Sequence, residues 1–264
     1  MWLTGRRLHD ALAGQRLVLT DFRVPALATA DLRGRDVLAV VSRGKHLLTR
    51  IAPDLTLHSH LRMDGAWHLY RPTDRWNGGP IWHVRVVLGS EQWRAVGYRM
   101  HDLHLVPTAA EHQLVGHLGP DLLGDDWDPA EAVRRLATQP EREIGQALLD
   151  QRNLAGIGNL YKTELCFLQG IGPWTAVRDA GDLRALVERA HQLLHRNKHG
   201  PWQSTTGERR QGREHWVFER SGRPCRRCGT RISSTIQGDA PYQRVSYWCP
   251  RCQPGPAPIG PAKS

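Results

Sequence analysis

From Leu17 to about Val106 apolar residues alternate with polar ones, or run in short blocks, between glycine, proline and aspartate signals. The blocks Leu17–Leu19, Val37–Val41, Leu47–Ile51, Leu55–His58, Trp82–Leu88 and Trp93–Tyr98 predict strands of an antiparallel sandwich or barrel. Ahead of them, Leu3, Leu8 and Leu12 have helical spacing and predict a short opening helix. The period changes after Pro107. Asp128-Pro129 supplies an N-cap and a first-turn proline, and further helices are expected over Ile144–Asn153, Leu160–Gln169 and Leu183–Leu194. In the last of these Leu183, Leu186, Val187, Ala190, Leu193 and Leu194 share one face. From Gly200 the chain turns polar and arginine-rich and then enters a hairpin flanked by cysteines, and Pro254–Ser264 is a Pro/Gly tail expected to be disordered.

A chain of 264 residues and 29.8 kDa makes one large domain or two to three small ones. Hydrophobic residues at 40% and charged residues at 23% are globular proportions and exclude a disordered or fibrous chain. No stretch approaches the roughly 18 to 20 apolar residues of a membrane span, and the N-terminus lacks an apolar signal core. A soluble, unexported, cytoplasmic protein without membrane contact is expected. The net charge of +10 alters this picture. Of 36 basic residues only Lys45, Lys162, Lys198 and Lys263 are lysines. Arginine offers a flat fork of donors matched to phosphate and stacks on bases. A GC-rich genome also favours arginine codons, so the distribution carries more weight than the skew. Residues 201–252 hold ten arginines against Glu208, Glu214, Glu219 and Asp239, the footprint of a nucleic-acid surface.

The strongest local chemistry is Cys225-Arg-Arg-Cys228, twenty residues, then Cys249-Pro-Arg-Cys252. Two such knuckles place four thiolates around one structural zinc ion, with a hairpin between them. Disulfides are the competing reading and are disfavoured in an unexported chain. Four thiolates leave no open position, so this metal does not activate water. Cys166, beside Leu165, Phe167 and Leu168, is expected in the core. In Leu148–Tyr161 a helix ends, Gly156-Ile157-Gly158-Asn159 turns, and a second helix begins. Exposed N–H groups at a helix start attract phosphate. A plain helix–turn–helix corner would use the same glycines.

Taken with the cysteines and the order of parts, these segments resemble the formamidopyrimidine-DNA glycosylase / endonuclease VIII family, closest to its actinobacterial endonuclease VIII branch. The resemblance is carried by Ser42-Arg43-Gly44-Lys45-His46-Leu47, by His58-Ser59-His60-Leu61-Arg62-Met63-Asp64-Gly65, and by His117-Leu118-Gly119-Pro120-Asp121-Leu122-Leu123. Leu148–Phe167, Thr205-Thr206-Gly207 and the final cysteines complete it. It implies an α+β multidomain fold: an N-terminal helix plus β-sandwich over 1–108, a helix–two-turn–helix α domain over 109–215, a zinc ribbon over 216–253 and the tail 254–264. It implies a monomer that repairs bacterial DNA at the nucleoid, binding duplex with a damaged or abasic site. In that family's terms Lys45 contacts the lesion-flanking phosphate and assists β-elimination. Arg244 grips phosphates and assists δ-elimination. Met63, next to Arg62, is the wedge that fills the space of an extruded base. Gly158, Asn159 and Lys162 belong to the phosphate-holding turn and helix. His58 and His60 face one side of a strand, where a structural or substrate-facing role is expected over metal binding.

One departure stands out. The endonuclease VIII branch opens, after the initiator methionine, with Pro-Glu-Gly-Asp-Thr-Val. The proline's secondary amine attacks C1′ and leaves a Schiff base, and the adjacent glutamate is the general acid. An α-amine with a pKa of about 7.7 to 8.0 is far more available as a nucleophile than a lysine near 10.4. Residues 1–4 are Met-Trp-Leu-Thr, and the Pro-Glu segment is absent. A misassigned start is the favoured account, because a GTG valine codon inside that segment also serves as a bacterial start. The alternative is a non-catalytic protein that binds damaged or abasic DNA. In either case the 264 residues as written are expected to show little glycosylase activity.

Overall fold

Helix α1 (Trp2–Leu12) buries Leu8, Ala11 and Leu12 against the first of two compact units, Met1–His117 and Leu118–Ser264, in the computed structural model. The structure describes residues 1–62 and 64–256; Met63 and residues 257–264 of the expected tail lie outside the described residues. The first unit is a sandwich of two four-stranded antiparallel sheets. One runs β1 (Leu19–Phe22), β6 (Val84–Gly89), β7 (Arg94–Tyr98), β5 (Ala66–Tyr70). The other runs β2 (Val37–Arg43), β3 (His46–Ile51), β4 (Leu55–His60), β8 (Asp102–Pro107). Leu47, Ile51, Leu57, Val86, Leu88 and Ala95 from both inner faces join Leu8 and Leu12 in one buried cluster. Alternation places these side chains inward, as a half-buried sheet requires.

The six expected strands are present, with shifted ends, and β5 and β8 add to them. Both are amphipathic runs of mixed exposure without a clear period. The apolar block at Trp82 begins instead as a turn of 3₁₀ helix, Ile81–His83, with Trp82 71% exposed. The first unit also reaches past the expected boundary at 108. Short helix α2 (Glu111–Val115) supplies Glu111, whose carboxylate accepts from Arg50 at 2.8 and 2.9 Å and from the buried Thr56 hydroxyl at 2.6 Å. That ion pair fastens 109–117 to the outer face of β3 and β4.

In the second unit the Asp128 carboxylate caps α3 (Pro129–Ala137) by accepting from the Ala130 and Glu131 amides. Helices α4 (Ile144–Leu149), α5 (Asn159–Gln169) and α6 (Leu183–Asn197) follow. Their apolar faces meet in a core that includes Leu136, Ile144, Leu148, Ile157, Leu165, Cys166, Leu186 and Leu194. Helix α4 ends four residues before the expected Asn153. Asn153 Nδ2 donates to the Ala147 carbonyl at 2.9 Å, and Gln151 Nε2 to that of Leu149 at 2.8 Å. Side chains thus satisfy carbonyls that another helical turn would have used. Strands β9 (Ser233–Gln237) and β10 (Arg244–Trp248) form the expected hairpin. No helix among the described residues is long and apolar enough to cross a membrane.

The hairpin and its cysteines join the helices through Glu164, a fully buried residue of α5. Its Oε1 accepts from the Val217 and Phe218 amides and its Oε2 from the Trp216 amide, all at 2.8 Å, and the Thr205 hydroxyl donates to Oε2 as well. Removing the carboxylate leaves one buried and two part-buried amides without this acceptor, at a cost of about 1–3 kcal/mol for a fully buried one and less for the others. Glu164→Ala is therefore expected to lower stability by roughly 3 kcal/mol or more. An unchanged thermal melting curve would show that 216–218 find other partners.

Candidate nucleic-acid interface and metal centre

Helix α5 starts at Gly158 with no side-chain cap hydrogen bond, and the first amides of a helix are donors suited to an anion. The turn before it is built with care. Gly156 has φ +109°, a conformation open to glycine. Its amide donates to Gln151 Oε1 at 3.0 Å, while Gln151 Nε2 reaches the Ile157 carbonyl at 3.0 Å. Gly119 packs against the same turn so closely that a Cβ would lie 2.6 Å from the Arg152 and Asn153 carbonyl oxygens. Asn159, at the first helical position, donates from Nδ2 to the Val245 carbonyl at 2.8 Å, and its Oδ1 is buried without a partner among the described residues. The helix start and β10 are thereby one surface. Arg244 lies next to Val245, exposed at the head of β10, and donates to the Gln243 carbonyl at 2.7 Å.

Lys162, expected among the DNA contacts, is placed elsewhere. It is fully buried, and its ammonium donates to Gln237 Oε1 at 3.3 Å and to Ser246 Oγ. An ammonium occupied inside the protein does not meet a phosphate, so the expected direct contact is corrected to an internal one. Cys166 is buried as expected, and burial pushes its thiol up to about 12.

In the first unit Lys45 stands at the tip of the two-residue β2–β3 turn, after Gly44 with φ +56°. Arg62, also in a left-handed conformation with φ +49°, binds Asp102 with both arms, at 2.6 and 2.7 Å. That guanidinium holds the Asp102 carboxyl below its ordinary range. His60 lies between these charges, its Nδ1 accepting from the Arg62 amide at 3.2 Å and 3.7 Å from Asp102. Burial lowers its pKa; Asp102 opposes this, and Lys45 and Arg62 reinforce it.

Four further histidines cover the outer face of the same sheet. Registers pair His46 with His60 and His58 with His104, and His117 meets His46 edge-on. His46 Nδ1 and His58 Nε2 share a hydrogen at 2.8 Å, and His58 Nδ1 is buried without a partner among the described residues. Burial, followed by the neighbouring imidazoles, lowers His46 to about 3 and His58 to about 4. As pH falls below the unfolded value of about 6.5, the unfolded chain takes up these protons first. Stability contributed by the two neutral rings is full above that pH and declines down to about pH 4. Melting curves between pH 7 and pH 4.5 are expected to show this decline, with a flatter slope in His58→Leu. Parallel slopes in the two proteins would remove the histidines as its cause.

The Sγ atoms of Cys225, Cys228, Cys249 and Cys252 all lie within 4.8 Å of one another, and the pairs Cys225–Cys252 and Cys228–Cys249 are 4.0 and 3.4 Å apart. Disulfide sulfurs sit near 2.05 Å, whereas a tetrahedral zinc with bonds of about 2.3 Å separates its sulfurs by about 3.8 Å. The four cysteines fit one zinc ion. Around them Phe167, Val217 and Ile232 form a small apolar cluster, roofed by the Arg227 guanidinium 4.4 Å above the Phe167 ring. So few apolar residues cannot hold a fold without a staple. Metal analysis is expected to find about one zinc per chain, and chelation to unfold the ribbon and lower DNA affinity together. Retention of both after chelation would refute a structural metal.

Asp102, Gln151, Glu164, Gln237 and Ser246 were not foreseen as parts of these arrangements. Asp102, Glu164, Gln237 and Ser246 act through partners distant in sequence, and Gln151 acts through bonds of its side chain to the turn beside it that no spacing rule announces.

The profile for the formamidopyrimidine-DNA glycosylase N-terminal domain matches residues 1–102, that for the formamidopyrimidine-DNA glycosylase H2TH domain matches 118–198, and that for a zinc finger found in FPG and IleRS matches 222–255. The chain is 55% identical over 260 residues to "Probable endonuclease 8 2" of Streptomyces coelicolor, covering 98% of this chain and 94% of that protein. It is 44% identical to "DNA-(apurinic or apyrimidinic site) lyase Nei2" of Mycolicibacterium smegmatis, covering 95% of each. A crystal structure of Lactococcus lactis Fpg with DNA containing an abasic site has the same fold, with a TM-score of 0.77 at 23% identity over 96% of this chain and 97% of that one.

Proposed function

Because the chain belongs to the formamidopyrimidine-DNA glycosylase and endonuclease 8 family, we propose that it works in base-excision repair, removing oxidised bases and cutting the abasic strand by β- and δ-elimination. The observation that supports this reading is the bond from Asn159 to Val245, which ties the uncapped start of α5 to the strand that carries Arg244. Amides at the helix start and a guanidinium beside them suit one stretch of DNA backbone.

Lys45 holds the phosphate beside the lesion and favours its departure in β-elimination. Arg244 grips neighbouring phosphates and assists the second elimination. Arg62 and Met63 enter the duplex side by side, Met63 filling the gap left by the extruded nucleotide. Zinc keeps the hairpin folded and takes no part in bond breaking. The protein acts as a monomer in the cytoplasm, on the nucleoid. In the chemistry that the family resemblance implies, the nucleophile is the secondary amine of an N-terminal proline. Its attack on C1′ expels the base and gives the Schiff base from which the strand is cut.

Borohydride reduces that Schiff base and traps the enzyme on abasic DNA. Trapping is expected with Pro-Glu-Gly-Asp-Thr-Val restored ahead of Trp2 and the initiator methionine removed. The 264-residue chain is expected to bind abasic duplex in a salt-sensitive way, and its trapping is measured beside that of the extended chain. Equal trapping by both would assign the chemistry to another amine. In the restored protein, Lys45→Ala is expected to lower strand cleavage at an abasic site about tenfold or more, and DNA binding less. Equal losses would reduce Lys45 to an ordinary phosphate contact.

A further inference from the structure

One of the fully buried charged side chains of the second unit packs against β10, the strand that carries Arg244. Lys162, on α5, is fully buried, as is Ser246 on β10, and Gln237 on β9 is 4% exposed. The Lys162 ammonium donates to Gln237 Oε1 and to Ser246 Oγ, and Ser246 Oγ donates in turn to Gln237 Oε1 at 2.7 Å. Gln237 is held from its other end. Its Nε2 donates to Glu143 Oε2 and to the Pro173 carbonyl, both at 2.8 Å, and Gln146 Nε2 donates to the same Glu143 oxygen at 2.7 Å. Gly145 lies so close that a Cβ there would come within 2.5 Å of Gln237 Oε1. Arg244 is the direct cross-strand partner of Gln237 and sits two residues before Ser246. The two side chains that clasp the ammonium therefore bracket the backbone that carries Arg244.

Burying an ammonium is costly, and apolar packing would hold a hairpin on a helix at least as well. What the charge adds is a fixed register. A sliding or tilting of β10 on α5 would leave the ammonium without its two oxygens in a place that water does not reach. We infer that Lys162 is a positioning residue: through Gln237 and Ser246 it fixes the β9–β10 hairpin on α5 and so sets where the Arg244 guanidinium meets the DNA backbone. This rests on the reading of Arg244 as a phosphate contact.

The charged and titratable groups that face this ammonium are Glu143, ahead of α4, Cys166 on α5 and Arg244 on β10. Burial is the largest influence and lowers the Lys162 pKa to about 8, Arg244 lowering it further while Cys166 and Glu143 oppose. Above that pH the amine is neutral, and the clasp loses its charge.

The test uses the zinc-loaded 264-residue chain and a duplex with a stable abasic analogue. It measures the slope of log K against log salt concentration, in which each phosphate contact contributes about 0.9. Arg244→Ala is expected to lower the slope by about 0.9. Lys162→Met, although buried and touching no DNA, is expected to lower it by the same amount, and the double variant no further. The wild-type slope should drift toward that of Lys162→Met between pH 7 and 9, while Lys162→Met stays level. A full slope in Lys162→Met, or additive losses in the double variant, overturns the inference. An unchanged slope in Arg244→Ala instead overturns the phosphate role of Arg244. If Lys162→Met loses zinc, Ser246→Ala decides: zinc retained with a lowered slope supports the positioning role, and zinc retained with a full slope refutes it.

Discussion

A single carboxylate in the middle of α5 sets what the second unit can be. The Glu164 carboxylate accepts from three backbone amides and a hydroxyl. Those amides belong to 216–218, the strand of chain that leads into the first cysteine knuckle. Residues 159–169 thus form one rigid rod. Its first turn has no side-chain cap, and its middle turns carry Lys162, Glu164 and Phe167, which grip the ribbon. The zinc staples a fold already anchored on this helix, and Arg244 inherits its place from both.

Fold and site were legible to different depths, for physical reasons. Periodicity found six strands and every long helix, because these elements bury one face and repeat it. It missed β5 and β8, whose residues are unevenly exposed, and it ran past Leu149 because nothing local reveals that Gln151 and Asn153 turn back onto carbonyls of α4. Spacing found the cysteines, since four thiolates around one ion constrain sequence directly. The boundary after the sandwich was placed too early because Glu111 reads as a surface helix residue until Arg50 is seen against it. Lys162 was misplaced for the same kind of reason. A lysine one turn into a phosphate-facing helix reads as a contact, and only the side it points to, toward Gln237 and Ser246, says otherwise.

The two units handle buried polarity in opposite ways. In the second, charge is kept and fully solvated by the protein, at Glu164 and at Lys162. In the histidine cluster on the outer face of the sandwich His46 and His58 share one hydrogen, and burial first and neighbouring imidazoles second keep both rings neutral. The consequence is local. Lys45, at the end of that face, stands beside imidazoles that add no positive charge near pH 7, while Asp102 is already engaged by Arg62.

The choice between lysine and arginine now acquires a structural meaning. In a chain with so few lysines, Lys162 occupies a cradle that presents two named oxygens, Gln237 Oε1 and Ser246 Oγ. An ammonium brings three donors on one atom and can turn to meet both. A guanidinium brings five donors in a rigid plane, most of which would be left without acceptors in a place sealed from water. At Arg244 the demand is reversed. The side chain is exposed at the head of β10, so the donors of a guanidinium meet water and none is left buried without an acceptor. The lysine at 162 follows from the shape of its cradle, and position 244 is free of that constraint.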